Sequence, residues 1–270
     1  MKSIVVAFDG TQGACAALRY ASALAGPGGG YVTAVLAHAS TESYAAQGNW
    51  IPSEVRQILG EVNDRIVGEA KAAFEAEAAT LDLGDRLAFE ALPGRVDDVL
   101  ARRARASDLL VAPRPTGEAD IRMLQHPDQI ALRSGRPLLI IPADAVPNHA
   151  PARTVIAWDG KRAAARALAD ALPLLAPGSE VTLLTVGPLV PSVPSEVILT
   201  HLSRHGFDAR QLTRPADGSI ANTLIAYCDE TRPELLVLGA YEHSKFQVEL
   251  MGGATTEVLR RADLPVLMSH

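Results

Sequence analysis

Ile4-Val5-Val6-Ala7-Phe8-Asp9-Gly10 is a short apolar run closed by an acidic residue and a glycine, and it returns far downstream as Val155-Ile156-Ala157-Trp158-Asp159-Gly160. Two more stretches repeat in the same order. Asp108-Leu109-Leu110-Val111-Ala112-Pro113 returns as Glu234-Leu235-Leu236-Val237-Leu238-Gly239, and Arg136-Pro137-Leu138-Leu139-Ile140-Ile141 returns as Leu264-Pro265-Val266-Leu267-Met268. Recurrence of one pattern in one order is the mark of a duplicated unit. The chain therefore reads as two copies, 1–146 and 152–270, joined by the proline-rich stretch between Pro142 and Pro151.

Within each copy, apolar runs alternate with helical periodicity. The first copy is expected to hold strands near 4–8, 31–37, 86–91, 108–112 and 137–141, and helices near 12–25, 51–80, 95–105 and 121–134. The second is expected to hold strands near 154–158, 180–186, 208–213, 234–238 and 265–269, and helices near 162–175, 194–205, 217–231 and 247–261. Runs such as Leu235-Leu236-Val237-Leu238 are apolar on both faces, as strands buried in a parallel sheet must be. Alternation with right-handed crossovers gives a doubly wound α/β layer.

The 270 residues are 48% hydrophobic, enough to build a core and to exclude global disorder. Net charge is −6, both halves are acidic, and aromatics make up 4%. That composition argues against nucleic-acid partners, which need a positive field and stacking surfaces. No apolar run approaches the ~18 residues of a membrane helix. The apolar start of the chain ends at Asp9, too soon for a secretory signal. Cys15 and Cys228 are too few for a disulfide framework or a zinc site, so a reducing cytoplasmic setting is expected. Cys228 falls on a helical apolar face and is expected to pack in the core.

An open α/β sheet takes ligands beyond the carboxyl ends of its strands, where strand order reverses. That edge brings together Asp9 or Asp159, after the first strand of each copy, and the loop after the fourth. In the second copy this loop runs from Gly239 to Thr256. Glycine after a strand permits close backbone approach, and Gly252-Gly253-Ala254-Thr255 opens a helix whose free amides form an anion cradle. His243, Ser244 and Lys245 add donors. The same glycines equally suit a tight helix contact or an ordinary cap, and the two aspartates equally suit capping or ligand contact. In the first copy Pro113 stands for the glycine and Leu124-Gln125 for the glycine pair, so that copy is expected to lack the site.

Other patterns carry less. Gly26-Pro27-Gly28-Gly29-Gly30 lies between a helix and the next strand, the reverse of the dinucleotide motif. His201 and His205 lie four apart on one helix without a metalloprotease pattern and are expected to be surface residues. No Gly-x-Ser-x-Gly elbow and no Gly-Lys-Ser/Thr phosphate loop is present.

The strand ending at Asp159, the Gly239 loop, the Gly252-Gly253 helix start and the final Leu264–Met268 strand resemble the universal stress protein family. The doubled unit resembles a tandem member, over nearly the whole chain. The resemblance implies two tandem five-stranded parallel sheets of order 3-2-1-4-5, of the adenine-nucleotide alpha-hydrolase-like kind. It also implies pairing through the fifth strands, Leu138–Ile141 against Val266–Ser269, as an intramolecular pseudo-dimer or, between chains, a homodimer. Such pairing covers two sheet edges.

The family's nucleotide-binding branch carries Gly-x2-Gly-x9-Gly-Ser/Thr. Here Gly239 and Gly252 keep the spacing, while Glu242 replaces the second glycine and Gly253 the hydroxyl residue. An uncompensated charge ~4 Å from a triphosphate costs from ~1 to ~4 kcal/mol, depending on the local dielectric. The resemblance places adenine near Trp158, Asp159 and Val186. It places phosphates at Gly239, His243, Ser244, Gly252, Gly253 and Ala254, with Leu238 and Thr255 beside them. It implies ATP, with Mg²⁺, as the ligand of a cytoplasmic stress-response protein. A non-nucleotide interaction or small-ligand module is the alternative, with the long helix at 51–80 as a lid or a solvated face. An enzyme, such as a slow ATPase, lacks an evident nucleophile or acid–base pair.

Overall fold

A computed structural model of the chain describes residues 1–38, 52–114, 127–147, 150–188, 193–240 and 254–270. In the first half, β1 (Ser3–Ala7), α1 (Gln12–Ala25), β2 (Tyr31–His38), α2 (Ser53–Ala78), β3 (Leu87–Pro93), α3 (Val96–Ala104), β4 (Leu109–Pro113), α4 (Pro127–Ser134) and β5 (Leu138–Ile141) follow in turn. The second half repeats them as β6 (Arg153–Ala157), α5 (Arg162–Ala171), β7 (Glu180–Val186), α6 (Ser195–Arg204), β8 (Asp208–Arg214), α7 (Ile220–Thr231), β9 (Leu235–Gly239), α8 (Ala254–Arg261) and β10 (Val266–Ser269).

The strands form one ten-stranded sheet of order β3-β2-β1-β4-β5-β10-β9-β6-β7-β8. Each half has the order 3-2-1-4-5, and its strands run parallel. The halves meet through β5 and β10, which pair antiparallel with Leu139 opposite Leu267 and with Ile140 and Leu138 opposite Val266 and Met268. Leu139 and Leu267 occupy the same position in the two copies, so a pseudo-twofold axis passes between them.

Local chemistry sets the element ends. Thr11 caps α1 by accepting the Ala14 N–H at 3.3 Å, and Ser219 caps α7 by accepting that of Asn222 at 3.1 Å. The helix expected at 217–231 therefore begins at Ile220. That expected at 162–175 stops at Ala171 and tightens into a 3₁₀ turn, Leu172–Leu174, because Pro173 has no N–H to continue the ladder. The early parts of the helices expected at 121–134 and 247–261 lie outside the described residues.

Two apolar layers cover the sheet and run across the seam. One holds Ile4, Phe8, Leu139, Trp158, Leu168 and Leu267 under α1, α2, α5 and α6. The other holds Val5, Leu100, Ile140, Leu224, Leu238 and Met268 under α3, α4, α7 and α8. At the start of each unit's first strand an acid takes free amides. Asp108 accepts from Lys2 N at 2.6 Å and Ser3 N at 3.0 Å, and Glu234, at the matching position, accepts from Ala152 N at 2.7 Å. Arg114, just past β4, reaches across the seam to the Ala262 carbonyl at 2.5 Å and to Asp263 at 2.7 Å.

Candidate functional site

The strand order reverses between β1 and β4 and between β6 and β9. In each half that point carries the Asp-Gly turn. Asp9 Oδ1 accepts from Thr11 N at 2.9 Å and Thr11 Oγ1 at 2.6 Å, and Asp159 Oδ1 accepts from Lys161 N at 3.0 Å. The next residue sits in the left-handed region, with φ of +83° at Gly10 and +76° at Gly160, so glycine is required there. Both aspartates thus organise the turn. Asp159 also lies 3.9 Å from the Lys161 ammonium, with its side chain 44% exposed.

Trp158 takes the place of Phe8. It is 3% exposed, and its Nε1 is buried with no hydrogen-bond partner among the described residues. Its main chain is fixed: its N–H donates to Leu184 O at 2.9 Å, and its carbonyl accepts from Thr185 Oγ1 at 3.0 Å. An unpaired buried donor costs about 1–3 kcal/mol, which a ligand acceptor would recover.

Gly239 closes β9. A Cβ built there would lie 2.5 Å from Ala164 N and 2.7 Å from the Ala163 carbonyl carbon. Its missing side chain is therefore occupied by the first turn of α5, and the tight-contact account of this glycine has a direct structural basis. The first half solves the same contact in reverse, because Pro113 ends β4 and Gly13 supplies the space on α1, where a Cβ would lie 3.2 Å from Pro113 Cβ.

The ends of β7, β6 and β9 are adjacent, so Val186, Trp158, Asp159, Leu238 and Gly239 share one sheet edge. They do not share one face. Trp158 packs with α5, whereas Val186 and Leu238 pack in the opposite apolar layer. Ala254 and Thr255 open α8 and are half-buried. His243, Ser244, Gly252 and Gly253, with Lys245 and Glu242, lie outside the described residues.

Two further residues at this edge went unremarked in the sequence. His270 Nδ1 lies 2.7 Å from the Ala240 carbonyl, and Nε2 lies 3.4 Å from Arg162 Nη2. A carbonyl only accepts, so Nδ1 carries the proton, and Nε2 is left to accept from the guanidinium. This chain of contacts ties the exit of β9 to the start of α5. No local pattern announces it, because its members are far apart in sequence.

The first half differs at this edge. A Cβ on Gly10 would lie 3.1 Å from Ala70 Cα and 3.3 Å from Ala73 Cβ, so α2 passes directly over the turn. Phe8 packs edge-on to Phe74 and Phe89, with centroids 6.1 and 6.3 Å away. In the second half Gln211 stands at the register position of Phe89.

No metal-binding group of three or more His, Cys, Asp or Glu side chains occurs among the described residues. None of the described helices is long and apolar enough to cross a membrane. Both cysteines are free. Burial pushes the Cys228 thiol up to about 12, with the Asp229 charge adding to the effect.

The sequence matches no protein-family model and no curated protein. Among solved structures, the chain is similar to a universal stress protein from Archaeoglobus fulgidus DSM 4304, with a TM-score of 0.70 and 16% identity over 99% of this chain and 95% of that one. It is also similar to a protein of unknown function from Pseudomonas aeruginosa PAO1, with a TM-score of 0.52 and 12% identity over 100% of this chain and 92% of that one. The fold is that of a universal stress protein, with two such units in one chain.

Proposed function

We propose that a chain with this doubled fold is itself a cytoplasmic universal stress protein, whose second half takes an adenine nucleotide at the ends of β6, β7 and β9. The observation that supports this most is the buried indole N–H of Trp158, which has no hydrogen-bond partner among the described residues and precedes Asp159 at the point where strand order reverses. ATP is the nucleotide proposed. The base lies at Trp158, Asp159 and Val186. The phosphates lie along Gly239, His243, Ser244, Gly252, Gly253, Ala254 and Thr255, and Mg²⁺ is carried by the phosphates and water. The role is binding rather than turnover. Background ATP hydrolysis, unchanged in Asp159→Ala, is the expected result.

The test uses tryptophan emission. The chain has two tryptophans, so Trp50→Phe isolates Trp158. Titration with Mg-ATP is expected to change the Trp158 emission and to raise the melting temperature by linkage, as binding to the folded state must. No change in either overturns the reading for this chain. A response that appears only in Glu242→Gly identifies a site disabled by that one charge.

A second reading, an interaction module, is favoured by α2. Val55, Ile58, Val62 and Ile66 are 38–58% exposed and recur at helical spacing along one side of the helix. Sedimentation of the wild type against Val62→Glu distinguishes self-association from a monomeric chain.

A further inference from the structure

His201 and His205 stand one turn apart near the C-terminal end of α6, away from the nucleotide edge, and both are exposed. Their rings approach each other, with centroids 4.6 Å apart and planes at 66°. A divalent metal bonded to a ring nitrogen at about 2.0–2.1 Å lies about 3.2 Å from that ring's centroid. Two such rings at about 90° around one metal therefore have centroids about 4.5 Å apart. The observed centroid spacing of 4.6 Å matches that value.

Two surroundings hold the pair in place. The His205 ring stacks on Phe207, with centroids 6.5 Å apart and planes within 11°. Phe207 is 9% exposed and belongs to the core, so the His205 ring has a fixed neighbour on that side. The His205 N–H donates to the His201 and Leu202 carbonyls at 3.3 and 3.0 Å, which keeps the last turn closed. The carbonyl end of a helix also favours positive charge within its last turn. Of the charged residues adjacent in sequence, Arg204 opposes a cation and Asp208 favours one.

We propose that His201 and His205 form a bidentate surface site for a late first-row divalent cation, with water completing the coordination. Imidazole nitrogens select Cu²⁺, Ni²⁺ and Zn²⁺ over Mg²⁺ and Ca²⁺, which take oxygen ligands. Affinity follows the order in which Cu²⁺ and Ni²⁺ bind more tightly than Mn²⁺ or Fe²⁺. A bound ion ties two successive turns of α6 together at the place where the chain turns into β8.

Calorimetric titration of the full chain with Ni²⁺ alone, in the absence of nucleotide, tests this. The expected result is one ion per chain in the tightest class, weakened at least tenfold by His201→Gln and equally by His205→Gln. Ni²⁺ also raises the melting temperature of the wild type and not of either variant. Both side chains are exposed, so the metal-free melting temperatures of the variants are expected to match the wild type. Equal Ni²⁺ affinity in the wild type and both variants overturns the site, as does a wild type that binds no Ni²⁺. The titration involves neither Trp158 nor the Gly239 loop, so its outcome is independent of nucleotide binding.

Discussion

The two halves share strand order, register and the Asp-Gly turn, yet at the contact between fourth strand and first helix they place their one small residue on opposite sides. In the first half the strand ends in Pro113 and the helix yields with Gly13. In the second the helix keeps Ala163 and Ala164, and the strand yields with Gly239. The lesson is that this packing demands one missing side chain and is indifferent to which partner lacks it. A glycine that looks like a ligand cradle can therefore owe its place to a neighbouring helix.

Variants can break or sharpen this comparison. The largest effect is expected for Phe74→Ala. It empties the cluster of Phe8, Phe74 and Phe89 under α2 and should cost about 3–5 kcal/mol by chemical denaturation. A small cost would mean that α2 does not hold the first half closed. Next comes Gly239→Ala, whose Cβ meets main-chain atoms that cannot turn aside, at about 2–3 kcal/mol. Ala163→Gly should not rescue it, since the clash is with backbone.

Gly13→Ala meets only the ring of Pro113 and gains about 1 kcal/mol of helix propensity, so its stability should stay within about 1 kcal/mol of wild type. Equal losses at Gly13 and Gly239 would remove the asymmetry. The smallest effect is expected for Asp108→Asn. The Lys2 and Ser3 N–H bonds hold the Asp108 carboxyl below its usual range. A lowered value stabilises the fold above the ordinary carboxylate pKa, and the benefit disappears as pH falls through the lowered one. The gap between wild type and Asp108→Asn should be present at pH 7 and close in strong acid.

Much of this architecture is legible in the residues. Leu109–Val111 and Leu235–Val237 are apolar on both faces, which marks them as buried strands of a parallel sheet, while the strand order came from the family resemblance. The fifth-strand seam followed from family resemblance, and β5 against β10 bears it out. What stayed hidden depends on distant partners. Gly239 reads as a turn residue until α5 is seen against it. Arg114 reads as a loop cation until Ala262 and Asp263 come within reach. Arg162 and His270 lie 108 residues apart and carry no motif. Phe74 and Phe89 carry no motif either, and their meeting at Phe8 is one of the features that set the first half apart from the second.

The antiparallel ladder between β5 and β10 lies within a single polypeptide. Two separate units would join and part with dilution, and each could exchange its partner for an identical one. Here the mate is always present at an effective concentration set by the short linker from Pro142 to Pro151. Each molecule thus carries one Phe8 corner and one Trp158 corner whatever its abundance, so occupancy by a ligand at the Trp158 corner would rise along a simple hyperbola with a ceiling of one per chain.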